Sequence, residues 1–215
     1  PELYDTVMEY TTKAYASEKS PLELSFIPIH PGDILSYGGY HFEVKLLKGH
    51  TFGQCGLYEP EKKLMFVGDQ LMTTIVPIVG TQETDLGMLK CYLDSLGDLK
   101  HNYKDCYFLP CHYGEIRNVE KEVNSIILGY LEKCEIMKHV LEEAGTALTT
   151  RDIGVRTYGR SQGPPDYAHF ASCTYIWAKT FSCMEYMMGE GFVERSERDG
   201  IIYWKAPSIH FENNR

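Results

Sequence analysis

The stretch GHTFGQCGLY at positions 49–58 and the stretch FVGDQL at positions 66–71 decide the fold. A third segment, LPCHYG, follows at positions 109–114. In each segment a short apolar run ends at glycine or proline, and His50, Asp69 or His112 stands beside that break. This pattern is typical of side chains placed at strand ends, where the backbone turns toward a cleft. Two histidines and one aspartate suit a borderline-soft divalent metal such as zinc.

These segments resemble the second half of metallo-β-lactamase-fold hydrolases of the glyoxalase-II-like or β-lactamase-like-2 type. In that family the pattern GHTxGxxxL…GDxL…PxHG supplies three metal ligands. The resemblance implies an αββα sandwich with its site at one edge of the sheets. It implies that His50 completes a first metal site, that His112 belongs to a second, and that Asp69 is the bridging, catalytic carboxylate. It also implies two zinc ions in an intact site, with iron and manganese as alternatives.

The family's upstream His-x-His-x-Asp-His segment is absent from this sequence. Histidine occurs at eight positions (30, 41, 50, 101, 112, 139, 169 and 210), and no pair has His-x-His spacing. We therefore expect the chain to be the C-terminal portion of a longer protein. Two metal ions need about six to eight donors, so we expect this chain alone to hold metal weakly or not at all and to be inactive. A half sandwich also exposes a sheet face, which favours a homodimer or other self-association.

Three positions depart from the family pattern. Gln54 and Gln70 stand where many relatives carry histidine, so the family pattern does not predict which groups form hydrogen bonds to the ligands here. Cys111 replaces a glycine before His112; it is either a soft ligand or, more commonly for a strand-end cysteine, a small buried hydrophobic residue. The six remaining histidines are expected to be ordinary surface or packing residues.

The pattern of apolar residues divides the chain into two predicted domains. Residues 1–117 are predicted to form the second half of the sandwich, an α/β arrangement; its elements are a helix over 2–19, a short strand over 25–29, hairpin strands over 34–37 and 40–47, a second hairpin over 55–58 and 63–67, a helix over 83–99 and a strand over 106–109. Residues 118–215 are predicted to form a winged-helix-like domain; its elements are a long linking helix over 118–144, helices over 149–158 and 166–188, and a hairpin over 192–206.

Composition limits the function classes. The 215-residue chain carries a net charge of −9, which disfavours nucleic acid as a partner. No run of about 18 apolar residues occurs, so no membrane span is expected. Seven cysteines, without a C-x-x-C pair, favour a reducing cytoplasm over a disulfide framework.

The favoured function is metal-dependent hydrolysis of a small-molecule ester, thioester or lactone. The rival is a non-catalytic binding module whose winged-helix domain docks a partner or nucleic acid. Positions 173–188 are apolar and aromatic, unlike a basic DNA-recognition helix, which favours packing or a partner surface. A second enzymatic rival is an iron-based oxidoreductase on the same fold, but the flavin domain that usually accompanies it is not recognisable here.

Overall fold

The computed structural model of the chain describes residues 27–79, 87–159 and 167–207, and the side chains of 167–172 lie outside the description. The predicted helix over 2–19 also lies outside the described residues. Residues 27–30 form no strand, so the strand predicted over 25–29 is wrong in its described part. Pro28 and Pro31 account for this, because proline offers no N–H to a strand ladder.

Five strands form the first sheet, in the order β1-β2-β3-β4-β5. They are β1 (Ile34–Tyr37), β2 (Tyr40–Leu46), β3 (Cys55–Glu59), β4 (Leu64–Gly68) and β5 (Tyr107–Pro110). The first four pair antiparallel, which confirms both predicted hairpins. Gly38 and Gly39 turn the first hairpin with φ values of 58° and 82°, a conformation that glycine adopts without steric cost.

Helix α1 (Met88–Asn102) crosses from β4 to β5, which is why these two strands pair in parallel. The predicted helix over 83–99 is confirmed in type, but it begins at Met88 and extends to Asn102, and residues 83–86 lie outside the described residues. Its buried face carries Leu89, Tyr92, Leu96 and Leu99, and belongs to one apolar cluster with Met65, Val67 and Phe108 of the sheet.

The opposite face of the sheet is less covered. Leu46, Phe66 and Tyr107 are 40%, 39% and 38% exposed. Phe42 and Phe66 meet edge to face on this side, with ring centroids 5.8 Å apart. Self-association through this face stays a prediction.

The C-terminal part follows the predicted order of helices and a hairpin. It consists of α2 (Val119–Ala144), β6 (Leu148–Thr149), α3 (Thr150–Tyr158), α4 (Tyr167–Gly189), β7 (Glu194–Arg198) and β8 (Ile201–Lys205). Asn118 caps α2 by accepting a hydrogen bond from the Lys121 backbone N–H, as predicted. Thr149 and Asp152 form a capping box at the start of α3.

The two parts share one hydrophobic cluster, which runs from Leu47 to Trp204. Trp204, fully buried on β8, contacts the Phe181 ring of α4 and donates a hydrogen bond to Thr150 Oγ1 at 2.9 Å. The division at residue 117 and the winged-helix assignment stay predictions. No helix within the described residues has the length and apolarity that a membrane crossing requires.

Candidate metal centre

The three predicted ligands lie at one edge of the first sheet. Strands β2 and β4 run in the same direction because each is antiparallel to β3, and β5 is parallel to β4. The C-terminal ends of all three strands therefore face the same edge. His50 follows β2, Asp69 follows β4 directly, and His112 lies two residues beyond β5.

The Asp69 carboxylate lies between the two imidazoles. Its Oδ2 is 3.6 Å from His50 Nε2, and its Oδ1 is 3.5 Å from His112 Nε2. Each histidine thus faces a different oxygen of one carboxylate. This is the arrangement in which a carboxylate can bridge two cations, since its two oxygens point to separate positions.

The His50 ring is oriented by the backbone. Its Nδ1 lies 2.8 Å from the carbonyl oxygen of Ile78. Because a carbonyl oxygen only accepts, Nδ1 carries a proton in this hydrogen bond. Nε2 is therefore the ring nitrogen that faces Asp69 Oδ2, at 3.6 Å, and the one through which His50 would bind a metal.

Asp69 Oδ1 is buried without a hydrogen-bond donor. A buried acceptor left unpaired costs about 1–3 kcal/mol, and more when it is charged. A metal ion on the His112 side would satisfy this oxygen. Within the described ranges no group of three or more His, Cys, Asp or Glu side chains is arranged around one point for a metal; the geometry instead provides two donors at each of two positions.

Gly49 lets the His50 loop pack directly on helix α1. Its φ is +144°, and a Cβ added there would meet Tyr92 Cβ at 2.4 Å. Only a residue without a side chain fits this close approach. The glycine of the Gly-His-Thr sequence therefore allows the His50 loop to approach helix α1 closely.

Gln70 fastens the His50 loop by hydrogen bonds, a role that the sequence did not predict. The side chain is fully buried. Its Nε2 donates to the Lys48 carbonyl at 3.1 Å and to Ser95 Oγ at 3.0 Å, and its Oε1 accepts from the His50 backbone N–H at 3.4 Å. The Gln70 carbonyl accepts from the buried Tyr92 hydroxyl at 2.9 Å. Gln70 is therefore a positioning residue for His50.

The His112 loop has a strained backbone. Tyr113 has a φ of +69°, a conformation that is uncommon for a bulky residue and is concentrated at functional sites. Cys111 is exposed, so the expectation that it is a small buried residue is wrong. Its backbone N–H donates to the Gly68 carbonyl at 3.1 Å, which fastens the end of β5 to the end of β4.

Gln54 and two of the other histidines have local partners. Gln54 Nε2 donates to the carbonyls of Cys55 and Val67, across the β3–β4 pair. His41 Nδ1 lies 2.9 Å from Ser36 Oγ on the first hairpin, and His139 Nε2 lies 3.2 Å from Glu143 on α2. His210 and the His169 side chain lie outside the described residues.

Comparison with known proteins identifies the fold. No protein-family model matches the chain. A metallo-β-lactamase family protein from Thermus thermophilus superposes with a TM-score of 0.70 at 21% identity, over 93% of this chain and 64% of that protein. A β-lactamase domain protein from Burkholderia ambifaria superposes with a TM-score of 0.75 at 18% identity, over 96% of this chain and 60% of that protein.

A short region of the chain also matches the sequence of a known hydrolase. A hydroxyacylglutathione hydrolase of Haemophilus influenzae is 50% identical over 40 residues, which is 19% of this chain and 19% of that enzyme. The chain therefore spans about three fifths of the structural relatives, and the matched region is about a fifth of the curated relative. The fold of this chain is that of the metallo-β-lactamase family proteins.

Proposed function

We propose that the chain carries part of the metal centre of a metal-dependent hydrolase, with His50, Asp69 and His112 as metal ligands. The observation that supports this most directly is the Asp69 carboxylate, which faces one imidazole nitrogen with each oxygen while its Oδ1 is buried and unpaired. Borderline nitrogen and hard oxygen donors suit zinc, with iron and manganese as alternatives.

When bound, a divalent metal lowers the pKa of a coordinated water and polarises the scissile carbonyl. The residues of this chain have separate tasks in that chemistry. His50 would bind through Nε2, because its Nδ1 is engaged by the Ile78 carbonyl. Asp69 would supply negative charge to both metal positions, and His112 would hold the more exposed one, since its side chain is 60% exposed.

The proposed substrate is a small molecule with an ester, thioester or lactone bond. The short similarity to a hydroxyacylglutathione hydrolase supports a thioester, and the fold is compatible with all three. The three ligand residues supply four donor atoms, which is about half to two thirds of the roughly six to eight positions around two ions. We therefore expect slow or no hydrolysis by this chain alone.

Metal content measured by elemental analysis tests the proposal. The purified protein, brought to equilibrium by dialysis against buffer that contains excess Zn²⁺, should bind zinc, although weakly. His50→Ala and Asp69→Ala should each lose most of it, because water does not replace a lost ligand at equal affinity. His41→Ala is the matched control, since His41 lies on the first hairpin with Ser36 as its partner. Wild-type zinc content in both ligand variants would refute the assignment.

A further inference from the structure

Two cysteines face each other where helices α2 and α4 pack together. Cys134 lies on α2 and Cys183 on α4, and both side chains are buried. The two thiols are in hydrogen-bond contact, and neither belongs to a disulfide. A single buried cysteine usually acts as a small hydrophobic residue. Two thiols in contact across a helix pair have a further chemistry, because oxidation can join them.

The packing register of the two helices brings these thiols together. The ammonium of Lys179 on α4 lies 5.1 Å from the ring centroid of Tyr130 on α2. Tyr130 precedes Cys134 by four residues and Lys179 precedes Cys183 by four, so each of these pairs lies on one face of its helix. One turn beyond Cys183, Met187 lines the same cavity as Cys134. Contacts on both sides of the two thiols therefore hold the helices where the thiols meet.

The cavity gives solvent a route to one of the two thiols. Its volume is about 170 Å³, and its walls include Cys134, Leu131, Met187 and Phe192. Leu131 and Phe192 are exposed, so the cavity opens at the surface. A molecule as small as hydrogen peroxide fits this volume, since a single water needs only about 10–15 Å³. Because Cys183 has no exposed surface, an oxidant in the cavity meets Cys134 first.

The surroundings of Cys183 favour its protonated form. The hydrogen bond with Cys134 and burial raise the pKa of Cys183 well above its ordinary value, while the charge of Lys179 acts in the opposite direction. Cys183 therefore keeps its proton at neutral pH. Since the thiolate is the form of cysteine that reacts with oxidants, Cys183 is suited to the second step of an oxidation and not to the first.

We propose that Cys134 and Cys183 are a redox modification site, at which a hydroperoxide converts the two thiols into a reversible disulfide that joins α2 to α4. First, the Cys134 thiolate attacks one peroxide oxygen and the O–O bond breaks; the departing hydroxide takes up the Cys134 proton as water, and Cys134 becomes a sulfenic acid. Cys183 Sγ then attacks Cys134 Sγ, the S–O bond breaks, and the Cys183 proton leaves with the hydroxide as a second water. Two thiols are oxidised to one disulfide, and one hydrogen peroxide is reduced to two waters.

This inference goes beyond the proposed hydrolysis and involves none of the candidate metal ligands. Cys134 and Cys183 lie 49 positions apart in the sequence. A cross-link over that separation restricts the unfolded chain and stabilises the folded one. The oxidised protein should therefore be the more stable form, and a dithiol reductant should return it to the stability of the reduced protein.

Peptide mapping of the full chain tests the disulfide directly. Chelator-treated folded protein is exposed to hydrogen peroxide, quenched with N-ethylmaleimide and digested with trypsin. Cleavage after lysine and arginine releases Cys134 in the peptide 134–138 and Cys183 in the peptide 180–195, and each contains one cysteine. Mass spectrometry should find the two peptides as one cross-linked species, and dithiothreitol should separate them.

Cysteine variants identify the two partners. Cys134→Ala and Cys183→Ala should each abolish the cross-linked species. Cys55→Ala is the matched control, because Cys55 lies on β3 with its thiol directed at the Gly53 carbonyl at 3.4 Å, and it should leave the yield unchanged. The mapping of the wild type with and without reductant decides the proposal even if a variant fails to fold. Oxidation of Cys134 to a sulfinic acid without the cross-link overturns it, and so does a cross-link that forms only in urea.

Thermal unfolding tests whether the bond joins the folded helices. Peroxide-treated wild type should unfold about 5–15 °C above the reduced protein, and dithiothreitol should remove the difference. Neither Cys134→Ala nor Cys183→Ala should gain stability from peroxide, whereas Cys55→Ala should gain as much as the wild type. An oxidised wild type that unfolds at or below the temperature of the reduced protein overturns the inference.

Discussion

Replacement of Asp69 by asparagine should change protein stability in opposite directions with and without metal. In chelated protein at about pH 8, the substitution removes a buried oxygen that has no donor and supplies an amide N–H directed at a histidine Nε2 3.5 Å away. An unpaired buried group costs about 1–3 kcal/mol. For a chain of this size each kcal/mol corresponds to about 2–4 °C, so Asp69→Asn should melt about 2–12 °C higher than the wild type.

With zinc the order should reverse. Zinc at about a hundred times the dissociation constant stabilises the wild type by about 2.7 kcal/mol. An asparagine has one ligating oxygen in place of two, so one metal position loses its shared donor. If affinity falls by about a hundredfold, the same zinc concentration stabilises the variant by only about 0.4 kcal/mol.

Scanning calorimetry with chelator and with zinc measures both effects. Asp94→Asn is the control, because Asp94 forms an exposed pair with Lys90, and it should change stability by less than about 1 kcal/mol in both buffers. The reasoning is refuted if Asp69→Asn destabilises the chelated protein, or if zinc stabilises both proteins equally.

Three further predictions concern the surroundings of the centre and the charge of the chain. Gly49→Ala should destabilise the protein by more than about 2 kcal/mol in urea unfolding, because its Cβ would overlap Tyr92. Gly53→Ala in the same loop is the control: open space surrounds that residue, so the substitution should change stability by less than about 1 kcal/mol. Similar losses of stability in both variants would contradict the packing argument. Gln70→Leu should raise the zinc dissociation constant about 10–100-fold with His50 still present, as expected when a group that orients a ligand is lost. Unchanged zinc affinity in equilibrium dialysis would show that the Gln70 side chain is not needed to position His50. Random duplex DNA should bind weakly or not at all at physiological salt, since the chain is acidic, and sub-micromolar affinity with a steep salt slope in fluorescence anisotropy would favour the binding-module alternative.

The elements that the sequence predicted well are those with local signals. The Gly38-Gly39 turn and the Asp199-Gly200 turn both adopt positive φ, and each joins the two strands that were expected around it. Asn118 and Gly145 bound helix α2 as its cap residues, because capping depends on neighbours within a few positions. The approach of His50, Asp69 and His112 to one another was inferred from strand ends, and their role as ligands remains a prediction.

The features that escaped prediction depend on partners far away in the sequence. Gln70 bonds to Lys48 and Ser95, which are 22 and 25 residues distant, so its role cannot be recognised from its neighbours. The Ile78 carbonyl that orients His50 is 28 residues from it. Strand β6 contains only two residues, too few for a periodic pattern. Cys111 is exposed beside the His112 turn, where Tyr113 adopts a left-handed conformation that its residue type does not predict.

The parallel pairing of β4 with β5 has a consequence for the order of folding. Asp69 and His112 meet only when β4 and β5 pair across the chain segment that contains α1, and such non-local closure is slow. A metal at this edge therefore has no complete set of ligands to bind in the unfolded chain and should have little effect on the folding rate. It should instead slow unfolding, because an interaction that forms after the transition state stabilises only the native side of the barrier.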